Sequence, residues 1–198
     1  KKCEALDVSN GPQATSSRKK VADLNHPAYA PCLVNFNDKK IFKFGGLLKI
    51  DTPNNYIEIY NPEKNFWLVA SYSVQPNVFQ SSFNIPAFSC GVQVSPDEIH
   101  VFGGIENGEI VSSTFLLKTD FNMNIHEIRL GETQLPSAGA FWNCNGIIKD
   151  NRIYALQNVQ FETKQTFLFG KRAIFCFEDG RWHELNSYKA KRKEEYSN

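Results

Sequence analysis

The sequence Ile-Phe-Lys-Phe-Gly-Gly at residues 41–46 decides the fold, because it recurs further along the chain. Residues 99–104 read Ile-His-Val-Phe-Gly-Gly, and residues 153–158 read Ile-Tyr-Ala-Leu-Gln-Asn, with both glycines replaced. Aromatic and β-branched residues favour strands, and a glycine pair allows the sharp turn that ends a strand. The copies start 58 and 54 residues apart, and such a period predicts a fold built from repeated units.

Each copy is flanked by further matches, which predict two hairpins per unit. A cysteine stands nine residues before the isoleucine of each copy, with a polar turn between them. After each copy come an apolar run, a second polar turn and another apolar run. Turn residues between strand-forming runs indicate a hairpin, so each unit is predicted to contain four short strands. The cysteines are Cys32, Cys90 and Cys144, and the later runs span residues 56–69, 114–128 and 173–185.

Four short strands per unit, repeated at about 57 residues, are typical of the blades of a β-propeller. We therefore predict an all-β protein with about three four-stranded blades. The alternative is an ordinary β-sandwich, in which the aromatic residues are common strand residues. A sandwich does not explain the repeat.

The first unit resembles the kelch repeat. Its turn Tyr-Asn-Pro-Glu-Lys-Asn-Phe-Trp at residues 60–67 is similar to the Tyr-Asp-Pro-x-x-Asn-x-Trp turn of that family. The second unit keeps the glycines but has Lys118 and Ile125 in place of the aromatic residue and the Trp, and the third keeps the Trp but not the glycines. The resemblance covers about residues 28–186 and implies a kelch-type propeller. The residues that carry it are Gly45, Gly46, Tyr60, Trp67, Gly103, Gly104 and Trp182.

Three blades are too few for a closed ring, because propellers close with about four to eight. We expect a partial propeller, whose remaining blades lie in the same longer protein or in another chain. A start at Lys1 rather than at Met agrees with this expectation. The predicted divisions are an outer strand of a preceding blade plus a loop at 1–27, three kelch-like blades at 28–83, 84–136 and 137–188, and a charged tail or inter-blade loop at 189–198.

Charge and cysteine usage exclude several classes of protein. The 198 residues include 22 basic and 21 acidic side chains, and this balance argues against a broadly basic nucleic-acid-binding protein. No apolar run approaches the length of about 18 residues that a membrane helix needs, so no membrane insertion is predicted. Five cysteines are an odd number and do not suggest a disulfide framework. We expect thiols in a reducing compartment and a cytoplasmic protein, with a cytoskeletal assembly as one setting.

The chemistry-bearing residues predict no enzyme. Equivalent cysteines on the innermost strands could form a thiol ring near the propeller axis, but buried packing is the favoured interpretation for Cys32, Cys90 and Cys144. His126 and His183 occupy equivalent positions without metal-ligand spacing around them. Nucleophile-elbow, phosphate-loop and zinc-protease motifs are absent from the sequence. We therefore predict no catalytic group, no metal and no cofactor. Some kelch propellers are copper oxidases, and this remains the less favoured alternative.

The loops between the second and third strands of each unit are the predicted binding elements. They span residues 47–55, 105–113 and 159–170. The kelch resemblance implies that such loops gather on one face and hold a partner peptide. The predicted function is a non-catalytic protein-interaction module or scaffold; the alternatives are the substrate-recognition part of a ubiquitin-ligase adaptor and a subunit of a stable complex. The candidate partner-binding residues are Lys49, Asp51, Asn54, Glu106, Asn107, Glu109, Glu162 and Lys164.

Overall fold

The structure is a computed structural model. It describes residues 3–6, 18–49, 52–70, 84–120, 122, 124–141, 146–157, 160–163, 166–168 and 171–189. These residues form twenty β-strands, and no helix occurs among them. The all-β class predicted from the sequence is confirmed. Within the same ranges, no helix is long and apolar enough to cross a membrane.

The strands are short, and they are numbered in chain order. They are β1 (Cys3–Leu6), β2 (Arg18–Val21), β3 (Cys32–Phe36), β4 (Lys40–Phe44), β5 (Leu47–Lys49), β6 (Thr52–Pro53), β7 (Glu58–Asn61), β8 (Phe66–Val69), β9 (Cys90–Ser95), β10 (Glu98–Phe102), β11 (Ile105–Glu106), β12 (Glu109–Ile110), β13 (Thr114–Thr119), β14 (Ile125–Leu130), β15 (Ile147–Lys149), β16 (Arg152–Leu156), β17 (Gln160–Thr163), β18 (Thr166–Leu168), β19 (Lys171–Glu178) and β20 (Arg181–Lys189).

Three four-stranded antiparallel sheets contain most of these strands. Sheet 1 has the order β3-β4-β7-β8, sheet 2 has β9-β10-β13-β14, and sheet 3 has β15-β16-β19-β20. Each of the three predicted loops is instead a two-stranded ribbon: ribbon 1 is β5–β6, ribbon 2 is β11–β12 and ribbon 3 is β17–β18. The remaining pair, β1–β2, is a separate hairpin in the N-terminal stretch. Pairing within a ribbon satisfies backbone groups that an open loop would leave to water.

The sheets pack face to face through apolar side chains that alternate along each strand. In β3, Cys32, Val34 and Phe36 are buried while the residues between them are exposed. These side chains belong to a core cluster that joins sheet 1 to Val101 and Leu117 of sheet 2. A second cluster, on the other face of sheet 2, joins it to sheet 3. Sheet 2 is therefore covered on both faces, which explains why β13 is an almost continuous buried run.

Hydrogen bonds also join sheets 1 and 2 near the turns of their first hairpins, β3–β4 and β9–β10. The Asn37 backbone N–H donates to Gln93 Oε1 at 2.7 Å, and Gln93 Nε2 donates to Asn37 Oδ1 at 2.6 Å. Asn37 and Asp38 have φ values of 52° and 53°, a left-handed turn conformation that these residue types tolerate. The polar turn predicted from the sequence thus also links two sheets.

The glycine pair of the first unit is required by a close approach of the backbone. Gly45 and Gly46 have φ values of 56° and 87°. A Cβ atom on Gly45 would lie 2.5 Å from the Ile85 carbonyl oxygen, and one on Gly46 would lie 2.6 Å from the Tyr29 carbonyl oxygen. Gly104 meets the Ala87 carbonyl oxygen at 2.6 Å in the same way. The repeated motif therefore lets the segment before each first strand cross the end of the second strand.

Candidate functional site

Two short segments bind the first two ribbons through backbone hydrogen bonds. Lead segment 1 (residues 28–31) precedes β3, and lead segment 2 (residues 84–89) precedes β9. The Tyr29 N–H donates to the Leu47 carbonyl at 2.7 Å, and the Leu47 N–H donates back at 2.9 Å. The Ile105 N–H donates to the Ala87 carbonyl at 2.7 Å. Each ribbon is thus held by backbone hydrogen bonds to the segment that leads into its own sheet.

The lead segments are also bonded to one another. The Phe88 N–H donates to the Ala30 carbonyl at 3.0 Å, and the Phe141 N–H donates to the Phe88 carbonyl at 2.7 Å. Around these bonds lies a small apolar cluster, which contains Ala87, Phe88 and Ala140. Ribbons 1 and 2 consequently lie side by side in a fixed arrangement. These segments carry no repeated signal at equivalent positions: Tyr29 and Ala87, which pair with Leu47 and Ile105, differ in residue type.

A cavity of about 500 Å³ lies between ribbons 1 and 2. Ribbon 1 contributes Leu47 and Pro53, lead segment 2 contributes residues 84–87, and ribbon 2 with its turn contributes residues 105–108. Among the described residues that line it, Glu106 carries the only charge. The walls are otherwise mainly apolar, which is the usual composition of a ligand site with a few polar groups.

One polar atom at this cavity is buried without compensation. The Oδ1 atom of Asn84 is inaccessible to solvent and has no hydrogen-bond partner in the described part of the chain. A buried acceptor without a donor costs about 1–3 kcal/mol. Asn84 was not among the residues predicted from the sequence, since nothing in a lead segment distinguishes it from an ordinary connector.

The tip of ribbon 2 positions the acidic group of the cavity. Asn107 and Gly108 form the two-residue turn with φ values of 52° and 80°, the left-handed pair that a tight hairpin turn requires. Glu106 and Glu109 lie directly opposite each other across this ribbon. Glu106 and Asn107 line the cavity, whereas Glu109 is exposed on the same ribbon. Three predicted partner-binding residues are thus close together.

The other predicted loop residues are not part of this group. Lys49 is exposed on ribbon 1 and does not line the cavity. Asn54 is buried: its Nδ2 donates to the Gly45 carbonyl at 3.0 Å, and its Oδ1 accepts from the Tyr56 N–H at 3.1 Å. Asn54 therefore supports the ribbon from inside. Two further predicted residues, Asp51 and Lys164, lie outside the part of the chain that the structure describes. Glu162 is described without its side chain.

The aromatic residues of the repeat motif lie away from the cavity. Tyr60 donates its hydroxyl to Asn65 Oδ1 at 2.8 Å and contacts Trp67, with 5.0 Å between the ring centres. Trp67 Nε1 donates to the Ala22 carbonyl at 3.1 Å and so holds the N-terminal segment. Trp182 packs between sheets 2 and 3 against Phe102, at 4.6 Å between ring centres.

Cys32 and Cys90 are buried at the starts of β3 and β9. Cys144 lies outside the described residues. Among the residues that are described, no group of three or more His, Cys, Asp or Glu side chains lies close enough together to hold a metal ion.

A second, smaller cleft lies between sheets 2 and 3. It encloses about 220 Å³, and His100, Arg129 and Phe177 contribute to its lining. His100 Nε2 lies 2.8 Å from Glu98 Oε1, and the imidazole meets the Phe177 ring edge-on. Burial lowers the pKa of His100, and the hydrogen bond to Glu98 opposes this effect only in part. His100 is therefore neutral near pH 7.

Comparison with known proteins identifies the fold and no family. Neither protein-family models nor curated sequences give a match. Among solved structures, the chain is similar to a novel fungal alcohol oxidase of the AA5 family in complex with copper, with a TM-score of 0.51 and 13% sequence identity. The similarity covers 95% of this chain and 49% of the oxidase, so the chain spans about half the length of that protein. At this identity the likeness establishes a shared all-β fold.

Proposed function

We propose that the chain is a non-catalytic protein-interaction module of the kelch-propeller type, which binds a protein partner through its ribbons. The observation that carries this proposal is the cavity between ribbons 1 and 2, whose walls are fixed by backbone hydrogen bonds to the lead segments. A rigid scaffold that presents binding elements at one edge is a common arrangement for recognition.

In the same proposal, the three four-stranded sheets are three blades of a larger ring. The face of sheet 3 that points away from sheet 2 supports this, because apolar side chains project from it. Ile147 is 65% exposed and Leu156 is 42% exposed, and the strand register places both on that face. Exposed apolar surface of this kind usually marks a contact with another sheet or subunit. Further blades, from the same protein or from another subunit, would cover it.

A narrower version of the proposal is the substrate-recognition part of a ubiquitin-ligase adaptor. It uses the same cavity and differs only in what the rest of the protein contains. A BTB or F-box segment encoded in the full-length gene would favour the adaptor, whereas its absence would favour a scaffold in a larger assembly.

Site-specific photo-crosslinking tests the binding face. A photoreactive phenylalanine analogue at Glu109, exposed on ribbon 2, should capture a defined partner when the purified protein is exposed to a cell extract. The matched control is Glu63, which is also exposed but lies in the β7–β8 turn, at the opposite end of the sheet 1 strands from ribbon 1. Equal capture at both positions, or capture only at Glu63, would contradict a binding face formed by the ribbons.

The oxidase neighbour supplies the second candidate function, a copper-dependent oxidase of the propeller type. Metal analysis of the purified full-length protein separates the two candidates. The interaction module predicts no stoichiometric copper and no turnover of alcohols. One copper per chain together with oxidase activity would replace the proposal.

A further inference from the structure

We infer that the cavity between ribbons 1 and 2 takes an extended peptide segment in which a lysine or arginine lies beside apolar side chains. This inference rests on the proposed function and specifies the chemistry of the partner. Three properties of the cavity carry it: its apolar walls, the Glu106 carboxylate as the only charge of its described lining, and the position of Glu109 opposite Glu106 on ribbon 2.

The apolar walls come from three separate elements. Leu47 and Pro53 belong to ribbon 1, Ile85 and Pro86 to lead segment 2, and Ile105 to ribbon 2. A volume of about 500 Å³ is larger than one side chain needs and lies within the range of about 300–1,000 Å³ for ligand sites. An extended segment with one or two apolar side chains, or with the long apolar stem of a basic residue, would contact all three elements.

Among the described residues that line the cavity, the only charged group is an acid. Glu106 contributes a carboxylate, which accepts hydrogen bonds but cannot donate when ionised. Lysine and arginine side chains only donate, and both carry a positive charge. A basic side chain therefore matches Glu106, whereas an acidic one would meet Glu106 with no compensating cation in the described lining.

The second glutamate of ribbon 2 adds to the same charge preference. Glu106 and Glu109 are cross-strand neighbours on ribbon 2, and like charges directly opposite each other destabilise a pair of strands. The Asn107-Gly108 turn and the hydrogen bond from Ile105 to Ala87 hold these strands in place. A cation bound beside Glu106 would relieve the repulsion, so binding and ribbon stability are coupled.

Selection from a random library tests the inference and does not require the partner to be identified first. A phage-displayed library of twelve-residue peptides is panned on the immobilised full chain at low ionic strength, and enriched peptides are synthesised. Their affinities are then measured by calorimetry for the wild type and three variants. Glu106→Gln removes the charge, and Pro53→Trp places a large side chain in the cavity from its exposed rim. Glu63→Gln is the matched control, at the opposite end of the sheet 1 strands.

The inference predicts enriched peptides with a lysine or arginine next to apolar residues. Glu106→Gln keeps an acceptor but removes the charge, so it should weaken their binding about five- to tenfold, the difference between a charge-assisted and a neutral hydrogen bond. Pro53→Trp should weaken it at least as much, and Glu63→Gln should leave it unchanged. Circular dichroism and thermal melting confirm that each variant is folded.

Two kinds of failure are distinguishable. Enriched peptides without basic residues, or binding that Glu106→Gln and Pro53→Trp leave unchanged, would overturn the inference while the chain remains an interaction module. Enrichment of nothing above an unrelated control protein would count against both the inference and the proposed function.

Discussion

The same two strand positions carry an ion pair in sheet 1 and an apolar pair in sheet 2. In sheet 1, Lys43 of β4 lies opposite Glu58 of β7, with 2.7 Å between Nζ and Oε2 and no exposure of either side chain. In sheet 2 the equivalent residues are Val101 and Phe115, which are opposite each other and buried against sheet 1. The two pairs differ in the part of the chain that packs on them.

The segment of residues 22–26, which belongs to no sheet, lies over the ion pair. The backbone N–H groups of Asn25 and His26 both donate to the Glu58 carboxylate, at 2.9 and 3.2 Å to Oε1. Lys43 Nζ donates to the His26 carbonyl at 2.8 Å. A segment without sheet pairing needs partners for its backbone groups, and the ion pair supplies both an acceptor and a donor. A sheet satisfies its own backbone, so an apolar pair is enough beneath it.

The largest effect is expected when the sheet 1 residue is placed in sheet 2. Val101→Lys would bury an ammonium group between two apolar faces with no carboxylate opposite. We expect this cost to exceed the stability of an ordinary domain, about 5–15 kcal/mol, so that the chain fails to fold. The measurement is soluble yield and circular dichroism, with Val101→Met as an uncharged control of similar length. A folded Val101→Lys protein would contradict the contrast between the two pairs.

Removal of the ammonium group from the ion pair should have the next largest effect. Lys43→Met leaves the buried Glu58 carboxylate without its cation, and we expect a loss of about 3–5 kcal/mol in urea unfolding. The control is Lys118→Met in sheet 2, where Lys118 Nζ lies 3.9 Å from Glu127 Oε2 and is partly exposed. That change should cost about 1 kcal/mol or less. Equal losses for both variants would show that burial of the pair is unimportant.

A smaller effect is expected from the indole that holds the same segment. Trp67→Phe keeps an aromatic ring beside Tyr60 but loses the hydrogen bond from Nε1 to the Ala22 carbonyl. We expect a loss of about 0.5–1.5 kcal/mol in urea unfolding. Amide hydrogen exchange should increase at residues 22–26 and remain unchanged in sheet 2. Faster exchange across both sheets would mean that the indole has a wider role.

The smallest effect is expected one residue before Lys43 and Val101, where sheet 1 has Phe42 and sheet 2 has His100. Because burial lowers the pKa of His100, the folded protein binds a proton less readily than the unfolded chain. Stability is therefore complete above the ordinary pKa of histidine, about 6.5, and declines as the pH falls below it. His100→Phe should reduce this decline in thermal melts between neutral and acidic pH. An unchanged decline in the His100→Phe variant would contradict a role for His100.

The repeat predicted the four-stranded sheets because it records local pattern: alternating residues, turns and a glycine pair. It did not predict the ribbons as strands, since each has only two to four residues per strand. The Asn107-Gly108 pair between Ile-Glu and Glu-Ile was the available hairpin signal. The buried role of Lys43 was also not evident. Its partner Glu58 follows 15 residues later, and His26, whose carbonyl accepts from Lys43, precedes it by 17. Only the folded chain brings these three residues together.

The cavity was the least predictable feature, because its walls come from three segments without a shared pattern. Glu106 and Asn107 were predicted as surface residues of a loop, and both line the cavity. Asn84 gave no signal, since an asparagine in a connector is ordinary. Asn54 was predicted to face a partner, whereas its amide is used within ribbon 1.

The first strands of sheets 1 and 2 are tied together at both ends, and this limits how the molecule can move. One tie is the bond from the Phe88 N–H to the Ala30 carbonyl, and the other is the amide pair of Asn37 and Gln93. A hinge between the sheets would have to break one of these ties. Because ribbons 1 and 2 are bonded to the segments that lead into these sheets, the same ties also hold the width of the cavity.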